Sequence, residues 1–165
     1  MSDLVLRPFS WGDIPAITAI YRHYVETSTA TFDLEAPGPT YLAEKFGYML
    51  DAGHPVIIAA RGEDVIGYAY ASTYRPRPAY RFTCEDSIYL REDAIGSGLG
   101  RTLLTGLIAQ SRTFGFKQMI AVITGEQDRS IALHEKLGFR HIGRHEKLGL
   151  KFDRWLDIVH MQLAL

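Results

Sequence analysis

The chain is 165 residues long, which suits one domain with a hydrophobic core that folds without metal or disulfide. It has 18 basic and 19 acidic residues and a formal net charge of −1, so it offers no global positive field for nucleic acid or an anionic membrane. Cys84 is the only cysteine, the first residues show no secretory signal pattern, and no apolar run approaches the ~20 residues of a membrane span. We therefore expect one cytoplasmic domain, residues 1–165, without nucleic-acid or membrane partners.

Hydrophobic periodicity divides the chain into helices and strands. Apolar residues at every second position predict strands, and apolar residues three and four positions apart predict helices. Glycines mark the ends of two predicted helices, at Gly53 and Gly138. In chain order the predicted elements are strand 4–7, helices 14–24 and 41–52, strands 55–61, 65–72 and 81–90, helix 99–115, strand 119–123, helix 130–137, a strand that begins at 139–142, and strand 155–163.

The order of these elements indicates the fold class. Hairpins dominate the middle of the chain, and strands alternate with helices in its second half. This order predicts an α/β fold with a mixed sheet covered by helices. No linker-like stretch divides the chain, so we expect one domain.

A glycine-rich turn, Gly96-Ser97-Gly98-Leu99-Gly100-Arg101, leads into the amphipathic helix 99–115. Backbone N–H groups at the start of a helix lack intrahelical acceptors and lie at the positive end of the helix dipole, so this turn is suited to bind a pyrophosphate. A plain tight turn explains the pattern alone equally well. The turn has no Gly-Lys-Ser/Thr ending, which argues against a P-loop, and its mid-chain place after a hairpin argues against a dinucleotide site.

The order of strand, glycine-rich turn, helix, strand and segment 130–139 resembles the GCN5-related N-acetyltransferase (GNAT) superfamily. The family's pyrophosphate loop, Arg/Gln-x-x-Gly-x-Gly/Ala, falls on residues 95–100, with Ile95 in place of Arg or Gln. Six landmarks spread over nearly the whole chain are similar to its phosphinothricin/methionine sulfoximine N-acetyltransferase branch. They are Ile20-Tyr21, Thr31-Phe32, Arg75-x-Arg77-x-x-Tyr80, Glu85-x-Ser87-Ile88-Tyr89, residues 133–139, and Lys151-Phe152-x-Arg154-Trp155-Leu156-Asp157.

The resemblance implies the acyl-CoA N-acyltransferase fold, a mixed, mostly antiparallel twisted sheet of about six to seven strands flanked by about four helices. It also implies acetyl-CoA as co-substrate, no metal, and a homodimer with a subunit contact near residues 151–157. Gln127 stands where the family pattern usually has Asn. The donor-binding residues that it implies are Ile88, Tyr89, Leu90, Gly96, Ser97, Gly98, Leu99, Gly100, Arg101, Gln127, Ser130 and Lys136.

The same resemblance places Glu85 beside the acceptor amine, where a carboxylate can accept a proton directly or through one water. His134, whose ordinary pKa lies near neutrality, is the second catalytic candidate, as a proton donor to the departing thiolate. Arg75 and Arg77 suit an anionic group of the acceptor, because guanidinium forks match carboxylates and phosphinates. The acceptor-binding candidates are Phe32, Arg75, Arg77, Tyr80, Glu85 and Ser87.

Each candidate also has a plainer interpretation. Glu85 fits a surface strand carboxylate, His134 a packed helix residue, and the two arginines a solvated basic turn. The six histidines match no compact metal-ligand spacing. Three functions therefore stay open: acetylation of a small amino-acid-like acceptor, acetylation of another amine such as a polyamine, an aminoglycoside or a protein N-terminus, and acyl-CoA binding without catalysis.

Overall fold

The computed structural model describes residues 3–165 and builds them around one seven-stranded sheet. Its strands are β1 (Leu4–Pro8), β2 (Val56–Arg61), β3 (Asp64–Thr73), β4 (Thr83–Leu90), β5 (Gln118–Thr124), β6 (Arg140–Lys151) and β7 (Arg154–Ala164). The α-helices are α1 (Ile14–Thr27), α2 (Pro39–Asp51), α3 (Leu99–Phe114) and α4 (Asp128–Lys136). This set confirms the predicted order of elements.

The strand order in the sheet is β1-β2-β3-β4-β5-β7-β6. Among the strands of residues 3–165, β4 and β5 pair in parallel and the other neighbouring pairs are antiparallel. The prediction of a mixed, mostly antiparallel sheet with four helices is thus confirmed. A parallel pair requires a crossover, and the glycine-rich turn and α3 supply it.

The strand predicted to begin at residues 139–142 continues in the structure as β6, from Arg140 to Lys151. Its pairing with β7 shifts register between His141 and Gly143 and again between His145 and Gly149. Such bulges interrupt the alternation of apolar and polar residues on which a strand prediction rests.

The two faces of the sheet carry different helices. Ile17 of α1 and Phe46 of α2 pack with Tyr68 of β3 on one face. Leu103 and Leu107 of α3 pack on the other face, and Ile131 and Leu133 of α4 contact the same cluster. The β1–α1 junction is fixed by a bidentate ion pair from Arg7 to the buried carboxylate of Asp13, at 2.7 and 2.8 Å.

Helix ends follow from local chemistry. Pro39 occupies the first turn of α2, where its missing N–H leaves no bond unmade. Gly53 follows α2 with φ +71°, and Gly115 closes α3 with φ +109°, conformations that glycine adopts readily. Among residues 3–165 no helix is long and apolar enough to cross a membrane.

We predict that Gly67→Ala destabilises the fold by about 1–3 kcal/mol, the usual cost of overpacking a core. A Cβ at Gly67 would lie 2.9 Å from Leu90 Cδ2, 3.1 Å from the Tyr89 carbonyl oxygen and 3.2 Å from Leu103 Cδ1. Urea denaturation measures the change. Gly47→Ala is the control, because its Cβ would meet only Trp11 at 3.6 Å inside a helix, and should stabilise by about 0.5–1 kcal/mol. Equal stability of Gly67→Ala and the parent chain would contradict the prediction.

Candidate active site

The parallel strands β4 and β5 pair over a short stretch and then separate. Their register covers Thr83 with Gln118, Cys84 with Met119, and Glu85 with Ile120, and no later residue of β4 has a β5 partner. Beyond Glu85, β4 continues to Leu90 beside β3 alone. A gap with unpaired backbone on one side therefore opens in the middle of the sheet.

The β3–β4 register tells which backbone groups face this gap. The Tyr74 N–H donates to the Thr83 carbonyl, and the Arg91 N–H donates to the Ile66 carbonyl. Because hydrogen-bonded and non-hydrogen-bonded pairs alternate in an antiparallel ladder, the odd-numbered residues of β4 bond to β3 and the even-numbered ones point away from it. Ile88 consequently presents its N–H and C=O to the gap.

The other two predicted donor contacts on β4 are engaged elsewhere. The backbone of Tyr89 points toward β3 by the same alternation, and its ring packs edge-on against Tyr21 and Tyr24, with centroids 5.1 and 5.3 Å apart. The Leu90 carbonyl accepts a 2.7 Å hydrogen bond from the Tyr24 hydroxyl. Of the three residues of β4 predicted to bind acetyl-CoA, Ile88 keeps its N–H and C=O directed toward the gap, and Leu90 keeps its N–H there.

The glycine-rich turn has the geometry of an anion site. Gly96 and Gly98 have φ of +83° and +84°, and a Cβ on either would meet nothing within 4 Å. The first bond at the start of α3 runs from the Thr102 N–H to the Gly98 carbonyl, so the N–H groups of residues 98–101 have no helical acceptor. Four donors at the positive end of the helix are thus left without a helical acceptor.

The remaining residues of the turn have separate roles. A Cβ on Gly100 would lie 3.3 Å from Leu133 Cδ2, so this glycine lets α3 and α4 pack closely. Leu99 buries its side chain in the core, and the Ser97 hydroxyl donates to the Ala94 carbonyl at 2.6 Å. Arg101 is exposed at the helix start, where its charge is accessible to an anion.

Three predicted donor contacts lie on or before α4. The Gln127 side-chain amide donates to the Thr29 hydroxyl at 2.9 Å, so it is directed toward the α1–α2 loop. The Ser130 carbonyl accepts a bond from His134, and Lys136 is exposed near the end of the helix. The structure brings Gln127 and Ser130 to the N-terminal end of α4 and leaves Lys136 a turn or more away.

Glu85 is half-buried on the sheet face that Tyr70 and Ser72 share, since Ser72 lies directly opposite it in β3. Burial raises the pKa of the Glu85 carboxyl, and the neighbouring Asp86 carboxylate raises it further. The charges of Arg75 and Lys45 act against this and lower the pKa. The net result is a carboxyl with a raised pKa, the direction that suits a general base.

Lys45 is a site residue that sequence reasoning missed. It lies on α2 among residues spaced as a core-facing helix, where a lone lysine carries no functional signal. Its ammonium lies 5.2 Å from the centroid of the Tyr70 ring, on the same sheet face as Glu85.

His134 is deeply buried rather than open to the gap. Its side chain and that of Asp86 are each 2% exposed, and His134 Nε2 lies 2.8 Å from Asp86 Oδ2. Its other ring nitrogen bonds to the Ser130 carbonyl at 2.7 Å. Desolvation lowers the pKa of His134, but the Asp86 charge and both hydrogen bonds outweigh it, so the pKa is raised. Both ring nitrogens are engaged within the protein, which favours a positioning role over proton donation.

Phe32 lies in the α1–α2 loop with its ring against β6. A Cβ at Gly149 would overlap this ring, so only glycine admits Phe32 here. Lys151 holds this loop in place, because its buried ammonium donates hydrogen bonds to the carbonyls of Ser28 and Thr31 at 2.7 and 2.8 Å. Desolvation lowers the pKa of Lys151. Lys151 is thus an anchor of the loop.

The predicted acceptor-binding residues of the basic loop divide into two groups. Arg75 stacks 4.4 Å above the Tyr74 ring and is near enough for its charge to act on Glu85. Arg77 and Tyr80 are exposed, and the Tyr80 ring packs edge-on against Tyr74 with centroids 5.7 Å apart. Ser87 follows Glu85 on the same face of β4.

No group of three or more histidine, cysteine, aspartate or glutamate side chains able to hold a metal occurs in the described part of the chain.

A model of the acetyltransferase (GNAT) family matches residues 17–139, which hold the glycine-rich turn, Glu85 and His134. The chain belongs to the GNAT family. The phosphinothricin N-acetyltransferase of Alcaligenes faecalis is 47% identical over 154 residues, covering 93% of this chain and 78% of the relative. The L-methionine sulfoximine/L-methionine sulfone acetyltransferase of Pseudomonas paraeruginosa is 39% identical over 165 residues, covering 97% and 94%.

A solved GNAT structure has the same fold over the whole chain. The phosphinothricin acetyltransferase of Sinorhizobium meliloti, crystallised in complex with AcCoA, superposes with a TM-score of 0.96 at 43% identity, covering 100% of this chain and 89% of that one. The predicted GNAT fold is therefore confirmed.

We predict that Gly149→Ala displaces Phe32 and loosens the loop at 28–33. The overlap with the ring should cost about 1–3 kcal/mol locally, so amide hydrogen exchange in this loop should speed up about 5- to 150-fold. Mass spectrometry of the exchanged peptides measures the effect. Gly143→Ala in the same strand is the control, because its Cβ would meet nothing within 4 Å. Unchanged exchange in Gly149→Ala would refute the assigned role of Gly149.

Proposed function

We propose that this GNAT enzyme transfers the acetyl group of acetyl-CoA to the α-amino group of a small amino-acid acceptor of the phosphinothricin or methionine sulfoximine type. The observation that carries the proposal is the position of Glu85. It is the last β4 residue paired with β5, so its carboxylate lies where the gap begins. The nearby charge of Arg75 favours an acceptor with an acid group over a polyamine or an aminoglycoside, which are cations.

Residues of this chain supply the donor's binding groups. The N–H groups of residues 98–101 are suited to the pyrophosphate of acetyl-CoA, with the exposed Arg101 adding positive charge. The Ile88 N–H, which has no partner in β5, donates a hydrogen bond to the thioester carbonyl in this proposal and stabilises the oxyanion that forms there.

The chemical step is direct transfer. Glu85 accepts one proton from the acceptor's ammonium, and the neutral amine attacks the thioester carbon to form the C–N bond. The nitrogen then gives up its second proton as the tetrahedral intermediate collapses and the C–S bond breaks. The departing thiolate takes up this second proton, directly or through water, and Glu85 releases the first one to solvent. Cys84 is unsuited to carry the acetyl group, because it is buried and desolvation raises the pKa of its thiol to about 12.

Thiol release from acetyl-CoA tests the proposal across a panel of phosphinothricin, L-methionine sulfoximine, L-methionine sulfone, a polyamine and an aminoglycoside. We expect turnover on the amino-acid acceptors. Turnover confined to the polyamine or aminoglycoside would overturn the acceptor assignment. Binding of acetyl-CoA with no turnover on any amine would instead support the non-catalytic alternative.

Glu85→Gln should lower kcat/KM on the acceptor by about 10²- to 10⁴-fold, the usual effect of losing a general base. In the parent enzyme kcat/KM should fall as pH falls through the Glu85 pKa, which lies above its ordinary value of 4.5. This acid limb should disappear in Glu85→Gln. Glu63→Gln, at an exposed turn, is the matched control. A Glu85→Gln enzyme with parental rates and an unchanged pH profile would rule Glu85 out.

We also propose a homodimer that forms along β6. This twelve-residue edge strand exposes Ile142, Leu148 and Leu150, and the adjoining Trp155 is 61% exposed. A long, apolar edge strand is a template for pairing with another chain, and a second copy would cover it. The cytoplasmic location of the enzyme stays a prediction.

Leu150→Lys should shift the protein from dimer to monomer in sedimentation velocity, because the charge would have to be buried in the interface. Val5→Lys on β1, the opposite edge of the sheet, is the control and should leave the dimer intact. A parent chain that sediments as a monomer at micromolar concentration would disprove the dimer.

A further inference from the structure

Lys45 lies in a cavity of about 540 Å³ between α2 and the end of β3. The cavity is also lined by Arg75 and by Ser72, the β3 residue directly opposite Glu85. This volume exceeds what a small amino acid needs, so the cavity can admit an acceptor beside Ser72. Two cationic side chains, from α2 and from the basic loop, therefore line a space that reaches the neighbourhood of Glu85.

The Lys45 ammonium has no salt-bridge partner among the described residues. The side chain is half-buried. The centroid of the Tyr70 ring lies 5.2 Å from the ammonium. Desolvation lowers the pKa of Lys45, and Tyr70 with the more distant Tyr41 and Asp33 raises it. A cation removed from water gains most from an anion that arrives with a ligand, since desolvation strengthens such a pair.

The charges around Glu85 indicate the same ligand chemistry. Arg75 and Lys45 both lower the pKa of the Glu85 carboxyl, so both lie within electrostatic range of the group that receives the amine proton. In an amino acid, the carboxylate is one carbon away from the amine. An acceptor amine at Glu85 therefore brings its carboxylate into range of these two cations.

We propose that Lys45, together with Arg75, binds the carboxylate of the acceptor and makes the enzyme selective for amines that carry a free acid group. The inference rests on the proposed amino-acid acetylation and adds a specificity-determining residue from α2 to it. Arg75 supplies a planar fork and Lys45 a compact point charge, so the two approach one carboxylate from different elements.

The test compares L-methionine sulfone with its carboxamide, which lacks the negative charge. Lys45→Met should raise KM for L-methionine sulfone about 10- to 100-fold, the factor expected for a lost hydrogen bond to a charged group, with kcat changed less than about threefold. KM for the carboxamide should not rise. Lys45→Arg, which keeps the charge, should restore most of the affinity. Lys117→Met, at an exposed lysine, is the control for charge removal alone.

Two further readouts separate this proposal from the proposed function. Calorimetric titration of L-methionine sulfone into parent and Lys45→Met protein, without acetyl-CoA, measures binding independently of turnover, and the variant should bind about 10- to 100-fold more weakly. In Lys45→Met the acid limb of kcat/KM should also move to higher pH, because one of the charges that lower the Glu85 pKa is gone.

Equal losses on the acid and the amide, or no loss in either the kinetic or the calorimetric experiment, would overturn the role of Lys45. If the parent protein binds L-methionine sulfone through Lys45 but acetylates no amino acid, the proposed function fails and the carboxylate site stands. If the parent neither binds nor acetylates it, both fail.

Discussion

Strands β4 and β5 pair over three residue pairs, the last of which is Glu85 with Ile120. The candidate site depends on the separation of the two strands after this pair. From there β4 has β3 on one edge and an open gap on the other. Two side chains hold this segment in place of β5: the Tyr24 hydroxyl of α1 binds the Leu90 carbonyl, and His134 of α4 binds the Asp86 carboxylate. The gap is thus fixed from both faces of the sheet, and the Ile88 backbone groups are left for a ligand.

The buried Asp86 carboxylate has consequences on both sides of β4. On its own face it pairs with His134, and breaking such a pair leaves an uncompensated buried charge that costs about 3–5 kcal/mol. Its charge also raises the pKa of the neighbouring Glu85. Asp86 therefore links the packing of α4 to the pKa of the candidate base. The cations Arg75 and Lys45 partly offset the effect of Asp86, because both lower the pKa of Glu85.

Local sequence patterns were sufficient for the features that depend on local geometry. Gly96 and Gly98 were recognisable because a left-handed backbone before a helix requires glycine. Gly100 fits the same motif, yet its size serves contact with Leu133, which lies in another helix. Lys45 escaped prediction for a related reason: a charged residue on an amphipathic helix is ordinary until the tertiary structure places it against Tyr70 and beside Arg75.

The loop that carries Phe32 depends on contacts that no local pattern contains. Lys151 reaches back over more than a hundred residues to hold the carbonyls of Ser28 and Thr31. The resemblance marked Lys151 only as part of a subunit-contact segment, because a buried lysine that serves backbone carbonyls looks in sequence like any surface lysine.

The same loop joins the two halves of the site. The Thr29 carbonyl accepts a 2.6 Å hydrogen bond from Thr124, the last residue of β5, and the Thr29 hydroxyl accepts one of 2.9 Å from Gln127, just before α4 on the donor side. Gln127 stands where the family pattern usually has Asn, and the amide of its longer side chain donates the hydrogen bond to Thr29. The acceptor loop is therefore ordered by the protein itself before either substrate arrives. The conformational entropy of this loop is lost when the protein folds, so its ordering opposes substrate binding less. Affinity for the acceptor then depends on the charges that line the cavity.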